Sequence, residues 1–201
     1  MDSTPFTALP QQLDAALAAR SGLIDADHRT GFRLFAGFYE GCPNLAADIY
    51  AQTLVLYGYN GSPEELRPLL AEAQAHLLAR LPWIECAVQK MRSSSEPDER
   101  RGQISYGSSP AQQVQEGGVT YALDLLMNQD ASLYLDTRGL RAWLGEHTAG
   151  GSVLNLFAYT GALGVAALAG GAKRVMQVDR SRKFMELALR SCQLSGLTRA
   201  K

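Results

Sequence analysis

The chain has 201 residues, 46% of them hydrophobic and 19% charged. That balance excludes a disordered tail, and the length suits one ordinary domain or a small one beside part of a larger one. Nineteen basic residues against twenty acidic ones give a net charge of -1, so any polyanionic partner must be met by a local patch rather than by overall charge.

Cys42, Cys86 and Cys192 are an odd, widely spaced set. They read as reduced thiols, with neither a disulfide framework nor a zinc site. The opening Met1-Asp2-Ser3-Thr4-Pro5 lacks the basic start and apolar run of a signal peptide. The longest apolar stretch, around residues 161–169, is too short to span a bilayer. A cytoplasmic location without membrane association is therefore expected. Association with a second copy is left open.

Leu9, Leu13, Ala16 and Leu17 recur at helical spacing and predict a helix over 9–23. Residues 31–39 predict a strand, followed by the turn Glu40-Gly41-Cys42-Pro43-Asn44. Residues 45–50 and 53–59 predict two more strands in an antiparallel meander. Ser62 as N-cap, Pro63 at the first position, and Glu64 and Glu65 in the first turn open a helix. Its buried stripe is Leu66, Leu69, Leu70, Ala73, Leu77, Leu78 and Leu81, and Pro82 stops it. A strand over 84–91, a polar mobile loop over 93–110 and a strand over 119–126 complete a small α+β domain. Its strands are expected to pair antiparallel under one helix.

From about Asp136 the pattern changes. A helix over 137–147 carries Leu140, Trp143 and Leu144. Two apolar strands, 152–157 and 174–178, are separated by a helix over 161–168, and a second helix capped by Ser181 follows. Runs so apolar predict parallel strands covered on both faces. The fold class is α/β: the start of a Rossmann-like doubly wound sheet preceded by a small α+β domain. The expected divisions are an N-terminal helical segment 1–28, the α+β domain 29–127, and a ligand-binding domain from 128 to 201.

In such sheets a ligand sits outside the carboxyl ends of the strands. The turn Asn155-Leu156-Phe157-Ala158-Tyr159-Thr160-Gly161-Ala162-Leu163-Gly164 lies there, with Asp179 ending the next strand. Gly161 is expected to let the backbone approach a ligand, Gly164 to let the helix pack on the sheet, and Asp179 to accept hydrogen bonds from ribose hydroxyls. An acid opening a helix is a competing role for Asp179, but Ser181 is expected to fill it. Tyr159 stands where a dinucleotide fingerprint has its first glycine, which crowds out a pyrophosphate. A ribosyl ligand without pyrophosphate fits better, and S-adenosylmethionine is one. An NAD-dependent oxidoreductase and a non-catalytic cofactor-binding or interaction module are the alternatives.

The chain resembles the S-adenosylmethionine-dependent methyltransferases of the ribosomal RNA large-subunit methyltransferase I type. The likeness rests on Arg33-Leu34-Phe35-Ala36-Gly37 with residues 41–50, on Asn128-Gln129-Asp130-Ala131-Ser132-Leu133-Tyr134-Leu135-Asp136-Thr137-Arg138, on Val153 to Gly161, and on Val178-Asp179-Arg180-Ser181. It implies that Asn155, Phe157, Ala158, Tyr159, Thr160 and Gly161 form the cofactor loop. It also implies that Asp179 holds the ribose, with Arg180 and Ser181 beside it. Gln129, Asp130, Ala131 and Tyr134 would fold over the cofactor, Asp130 toward the methionine amino group and Tyr134 as a pocket wall or a core residue. Arg138 is expected to pair with a carboxylate, and His28, His76 and His147 to be structural or exposed. The resemblance implies an RNA substrate; the Lys90, Arg92, Arg100 and Arg101 cluster reads by itself as a solvated loop.

The resemblance also implies an RNA-binding domain ahead of the matched region and further strands after it, one carrying a D-P-P motif. Neither is in the sequence. The chain is therefore expected to be the N-terminal part of a longer enzyme, with catalytic residues beyond Lys201 and an apolar sheet surface left uncovered.

Overall fold

The computed structural model describes residues 8–197. The chain divides into two compact units. One takes it up to Ala111 and again over Leu125–Asp130; the other takes Gln112–Asp124 and the chain from Ala131 onward.

The first unit is a five-stranded sheet of β1 (Gly31–Ala36), β2 (Leu45–Tyr50), β3 (Thr53–Gly58), β4 (Cys86–Met91) and β5 (Gln103–Tyr106), in that spatial order. Helices α1 (Leu9–Arg20), α2 (Pro63–Arg80) and α3 (Pro97–Arg101) complete it. The first three strands form the expected antiparallel meander. The expectation of antiparallel pairing throughout is corrected at β4, which runs parallel to β3. The 18-residue α2 carries the chain back to the starting end of the sheet, and only a parallel partner can follow such a crossover. The segment predicted as a mobile loop holds α3 and β5. Every residue of β5 is exposed, so it carries no apolar alternation for the sequence to reveal.

One sheet face packs against α1 and α2 through Phe32, Ile49, Leu54, Leu56 and Ala87, meeting Leu9, Leu13, Leu66, Leu70 and Leu77. A bulge between Arg33 and Phe35 turns both Leu34 and Phe35 into this core. The other face is mixed, with polar groups set beside buried Val55, Cys86 and Val88. Arg33 stands across from Asp48 and pairs with it, and Lys90 stands beside Tyr57. Lys90, predicted to be solvated, is fully buried. Its ammonium donates to the carbonyls of Arg101 (2.6 Å), Asn128 (2.7 Å) and Asp130 (3.1 Å), which compensates its removal from water. Arg92, two residues on, donates to the Gln129 carbonyl and the Asp130 carboxylate. His76 takes the structural one of the two roles expected of it, lying 2.7 Å from the Asp14 carboxylate.

The second unit begins with a hairpin of β6 (Gln113–Glu116) and β7 (Val119–Ala122) around Gly117-Gly118. Then come a 3-10 turn (Leu135–Thr137), α4 (Arg138–His147), β8 (Ser152–Leu156), α5 (Ala162–Ala169), β9 (Arg174–Val178) and α6 (Arg182–Leu194). Strand β7, predicted to end the α+β domain, packs instead with α6. Its Thr120 and Ala122 amides donate to the Ser195 and Ser191 hydroxyls, both at 2.9 Å. Strands β8 and β9 pair parallel, as expected. One face is uncovered, which agrees with the expected uncovered apolar sheet surface and not with cover on both faces: Leu154 (60% exposed) and Leu156 (55%) face solvent together with Met176 and Val178. Ser181 occupies the N-cap position of α6, but its side chain makes no capping bond.

Helix α4 overturns its apolar reading most clearly. Leu140 and Trp143 are exposed, and the buried residue is Arg141. Its guanidinium forms a two-pronged pair with Glu116, at 2.6 and 2.8 Å, and donates to the Tyr134 carbonyl and the Thr137 hydroxyl, both at 2.7 Å. Arg138 joins the same carboxylate at 3.0 Å, as expected of it. Burial disfavours ionised Glu116, but the hydrogen bonds and charges of Arg141 and Arg138 outweigh it and hold the carboxyl below its ordinary range.

Two stability measurements check this framework. Ser62 accepts from the Glu65 amide while the Glu65 side chain accepts from the Ser62 amide; Ser62→Ala lowers unfolding free energy by about 1 kcal/mol in a denaturant titration. Glu116→Gln costs roughly 3–5 kcal/mol at neutral pH, because Arg141 stays buried without a countercharge. A carboxyl depressed in the fold contributes fully above its unfolded pKa, near 4.5, and loses that contribution as pH falls through the folded value. Melts at descending pH should therefore show the wild-type advantage shrinking through and below the carboxylate range.

Candidate functional site

At the carboxyl ends of β8 and β9 the second unit has a hollow of about 670 Å³. Leu156, Phe157, Val178 and Phe184 form its apolar walls, and Asp179, Arg180 and Ser181 its polar edge. The turn leaving β8 has an unusual backbone. Phe157, Tyr159 and Gly161 all lie in the left-handed region, with φ of 53°, 51° and 72°. For the two aromatic residues this conformation is costly and must be held by surrounding bonds.

Asp179 supplies the central bond. One carboxylate oxygen accepts from the Tyr159 amide at 2.9 Å, the other from the Ser181 amide at 2.9 Å. It thus ties the turn after β8 to the start of α6, so the competing helix-start role that the sequence assigned to Ser181 belongs partly to Asp179. Each oxygen keeps a further acceptor site, because a carboxylate can take about four hydrogen bonds. The Ala158 amide, two residues past β8, donates to the Val178 carbonyl at 3.0 Å and so extends the pairing into the turn.

Gly164 has the role expected of it, letting its helix pack on the sheet, and Gly161 has a packing role the sequence did not assign. A Cβ on Gly161 would lie 2.5 Å from Ala188 and 2.7 Å from the Gln177 side chain; one on Gly164 would lie 2.6 Å from Gln177. Gly161 therefore makes room for β9 and α6. Gln177 also accepts from the Asn155 amide group at 3.1 Å, so Asn155 braces the base of the turn.

The rest of the expected set sorts by position. Phe157 is 93% exposed and lines the hollow with Asp179, Arg180 and Ser181. Ala158, Thr160, Gly161 and Ala131 are buried. The Thr160 hydroxyl donates to the Ser132 carbonyl, stitching the turn to the segment after Ala131. Tyr159 lies between two rings, with centroids 4.9 Å from Tyr134 and 4.6 Å from Phe184. Tyr134 is thus a packing partner of the turn. Gln129 and Asp130 belong to the first unit, where Arg92 engages the Asp130 carboxylate. Sequence reasoning missed the hollow's Phe184 wall and the Glu116–Arg141 pair behind Tyr134. Nothing local marks Phe184 as a wall or Arg141 as buried.

The three cysteines are free, and burial raises the pKa of each thiol. Among the described residues, no helix is long and apolar enough to cross a membrane.

The chain is similar to known proteins along most of its length. A ribosomal RNA large subunit methyltransferase I from Aeromonas hydrophila is 36% identical over 190 residues, covering 93% of this chain and 48% of the relative. One of that name from Vibrio cholerae is 31% identical over 193 residues, covering 95% and 48%. The chain spans about half the length of these curated relatives. A solved structure assigned as a SAM-dependent methyltransferase from Streptococcus mutans superposes with a TM-score of 0.85 at 24% identity, over 100% of this chain and 52% of that one. Another, assigned as a methyltransferase and complexed with SAH, gives 0.85 at 25% identity, over 100% and 51%. These likenesses bear out the Rossmann-like fold class, and they do not favour the NAD-dependent reading. The family model for S-adenosylmethionine-dependent methyltransferases matches residues 33–199, and the chain belongs to that family.

Proposed function

We propose that the second unit binds S-adenosylmethionine in the hollow at the ends of β8 and β9, as the cofactor-holding part of an RNA methyltransferase acting on ribosomal RNA in the cytoplasm. The observation that carries this reading is Asp179: an acid ending the second strand, at the edge of a largely apolar hollow, oriented by two backbone amides and with acceptor capacity left over.

The residues present fit an adenosyl ligand. The Asp179 carboxylate has one spare acceptor site per oxygen, which matches the two neighbouring hydroxyls of a ribose. Leu156, Val178 and the Phe157 and Phe184 rings offer apolar surface beside it for a purine. Tyr159 is packed sideways between two rings, so its bulk supports the turn and leaves no room for the tight glycine approach that a pyrophosphate needs.

S-adenosylmethionine supplies an electrophilic methyl group on a sulfonium. The chain's contribution is binding and orientation. Asp179 would fix the ribose through charge-assisted hydrogen bonds, worth roughly 1.5–3 kcal/mol each. The turn, held by Asp179, Asn155, Gln177 and Thr160, would keep the cofactor's position fixed, and such positioning can supply much of a transfer's rate. Raised thiol pKa values leave Cys42, Cys86 and Cys192 poor nucleophiles, so activation of the acceptor is not assigned to them. The names of the curated relatives support ribosomal RNA as the acceptor.

Calorimetry with S-adenosylmethionine, S-adenosylhomocysteine and NAD tests the reading. The first two should bind and NAD should not. Asp179→Ala should weaken S-adenosylmethionine at least tenfold, about 1.4 kcal/mol. Asp179→Asn, which keeps an oxygen for one amide, should weaken it while melting closer to wild type. Unchanged affinity in both variants would remove Asp179 from the site.

A further inference from the structure

The first unit carries a second candidate site that the cofactor reading does not use. The loop joining β1 to β2 presents Phe38 and Tyr39 to solvent, 76% and 86% exposed, as an edge-to-face pair with centroids 5.3 Å apart. Exposed rings on a floppy loop would mean little. This loop is closely tied.

Cys42 donates to the Gly37 carbonyl at 2.8 Å, Tyr39 to that of Ala36 at 2.8 Å, and Gly37 to that of Leu45 at 3.1 Å. The Glu40 carboxylate accepts from the Ala36 amide at 2.6 Å and from Arg20 of α1 at 2.7 Å. Gly37 is obligatory, since a Cβ there would sit 2.0 Å from the Cys42 carbonyl oxygen. Two large rings are thus held out in water by a rigid turn, where flexibility would have let them fold back onto the surface.

Behind the rings lies a hollow of about 270 Å³, lined among others by Arg33, Gly37, Phe38, Tyr39, Tyr59 and Asn60. Asp48 orients the Arg33 guanidinium through Nε and Nη2. Among the described residues Nη1 has no hydrogen-bond partner, so its donors remain for a ligand oxygen. Tyr59 packs under the Arg92 guanidinium, 5.9 Å from ring centroid to carbon, and its phenol is a neutral donor. Aromatic faces, one oriented guanidinium and neutral donors make up the chemistry that takes an unstacked base and its phosphate.

We propose that the Phe38–Tyr39 turn and the hollow behind it bind an unpaired nucleotide of single-stranded RNA, the base on the exposed rings and a phosphate at Arg33. This rests on the reading of RNA as the acceptor and adds where the chain would grip it. The surrounding cations are already paired, Arg33 with Asp48, Arg20 with Glu40 and Arg92 with Asp130. Binding here therefore depends more on stacking than on net charge, and its salt dependence is shallow, near that of a single phosphate contact.

The test is fluorescence anisotropy of the 201-residue chain with short labelled oligoadenylate and oligouridylate strands, and with a duplex RNA of the same length. Phe38→Ala/Tyr39→Ala removes two exposed rings and should leave the melting temperature unchanged. The inference expects the single strands to bind better than the duplex, with a shallow salt slope, and the double variant to lose tenfold or more. Calorimetry on that variant should give wild-type affinity for S-adenosylmethionine. Equal binding by variant and wild type overturns the inference, as does a steep salt slope with no preference for single strands. Self-association of the wild-type chain that the variant abolishes would assign the rings to a second copy and also overturn it. Loss of S-adenosylmethionine binding in the wild type would instead strike the cofactor reading and leave the RNA surface standing.

Discussion

A parallel β–turn–α unit must bring the chain off the end of one strand, past the end of its neighbour and into a helix, with few backbone groups free to pair. Here the Asp179 carboxylate closes that junction by accepting the amides of Tyr159 and Ser181. The left-handed conformations of Phe157 and Tyr159 cost energy that this bond and the Ala158 amide to Val178 carbonyl bond offset. Without the carboxylate, the turn would lose two of the hydrogen bonds that hold it to the end of β9 and the start of α6. The residue best suited to hold a ribose is also the one that holds the turn in shape, which gives the site orientation before any ligand arrives.

Beneath that junction, packing restricts the choices at several positions. Gln177 extends from β9 under the turn, where it meets Asn155 and leaves no room for a side chain at Gly161 or Gly164. Both glycines of the turn thus make room for the same glutamine, as the helix packing expected of Gly164 requires. Tyr159 turns its ring between Tyr134 and Phe184, and aromatic contacts of this kind contribute about 0.5–1.5 kcal/mol each beyond burial.

Buried charge organises both units. In the second, Arg141 draws Glu116 of the hairpin to the carbonyl of Tyr134 and so fixes the backbone behind the aromatic row. In the first, Lys90 of β4 and Arg92 just past its end capture three consecutive residues, 128–130, through carbonyls and a carboxylate. Such groups are costly to bury, and every donor must find an acceptor in a defined place. They therefore specify the path of irregular segments that apolar contacts would leave loosely determined.

The sequence by itself determined the elements whose signals are local. The capped helix from Ser62, the meander of β1 to β3, the strand–helix alternation after residue 150 and the acid at the end of the second strand all follow from spacing, caps and turns. The position of Asp179 could be read because it needs only one strand's end and one turn. What only the tertiary structure decided depends on residues distant in sequence. The parallel register of β3 and β4, the hidden strands β5 and β6, and the burial of Lys90 and Arg141 are each set by what packs against them. A lysine or a leucine carries the same local pattern whether buried or solvated, and the energy that separates the two cases comes from partners 11 to 40 residues away for Lys90 and 25 residues away for Arg141.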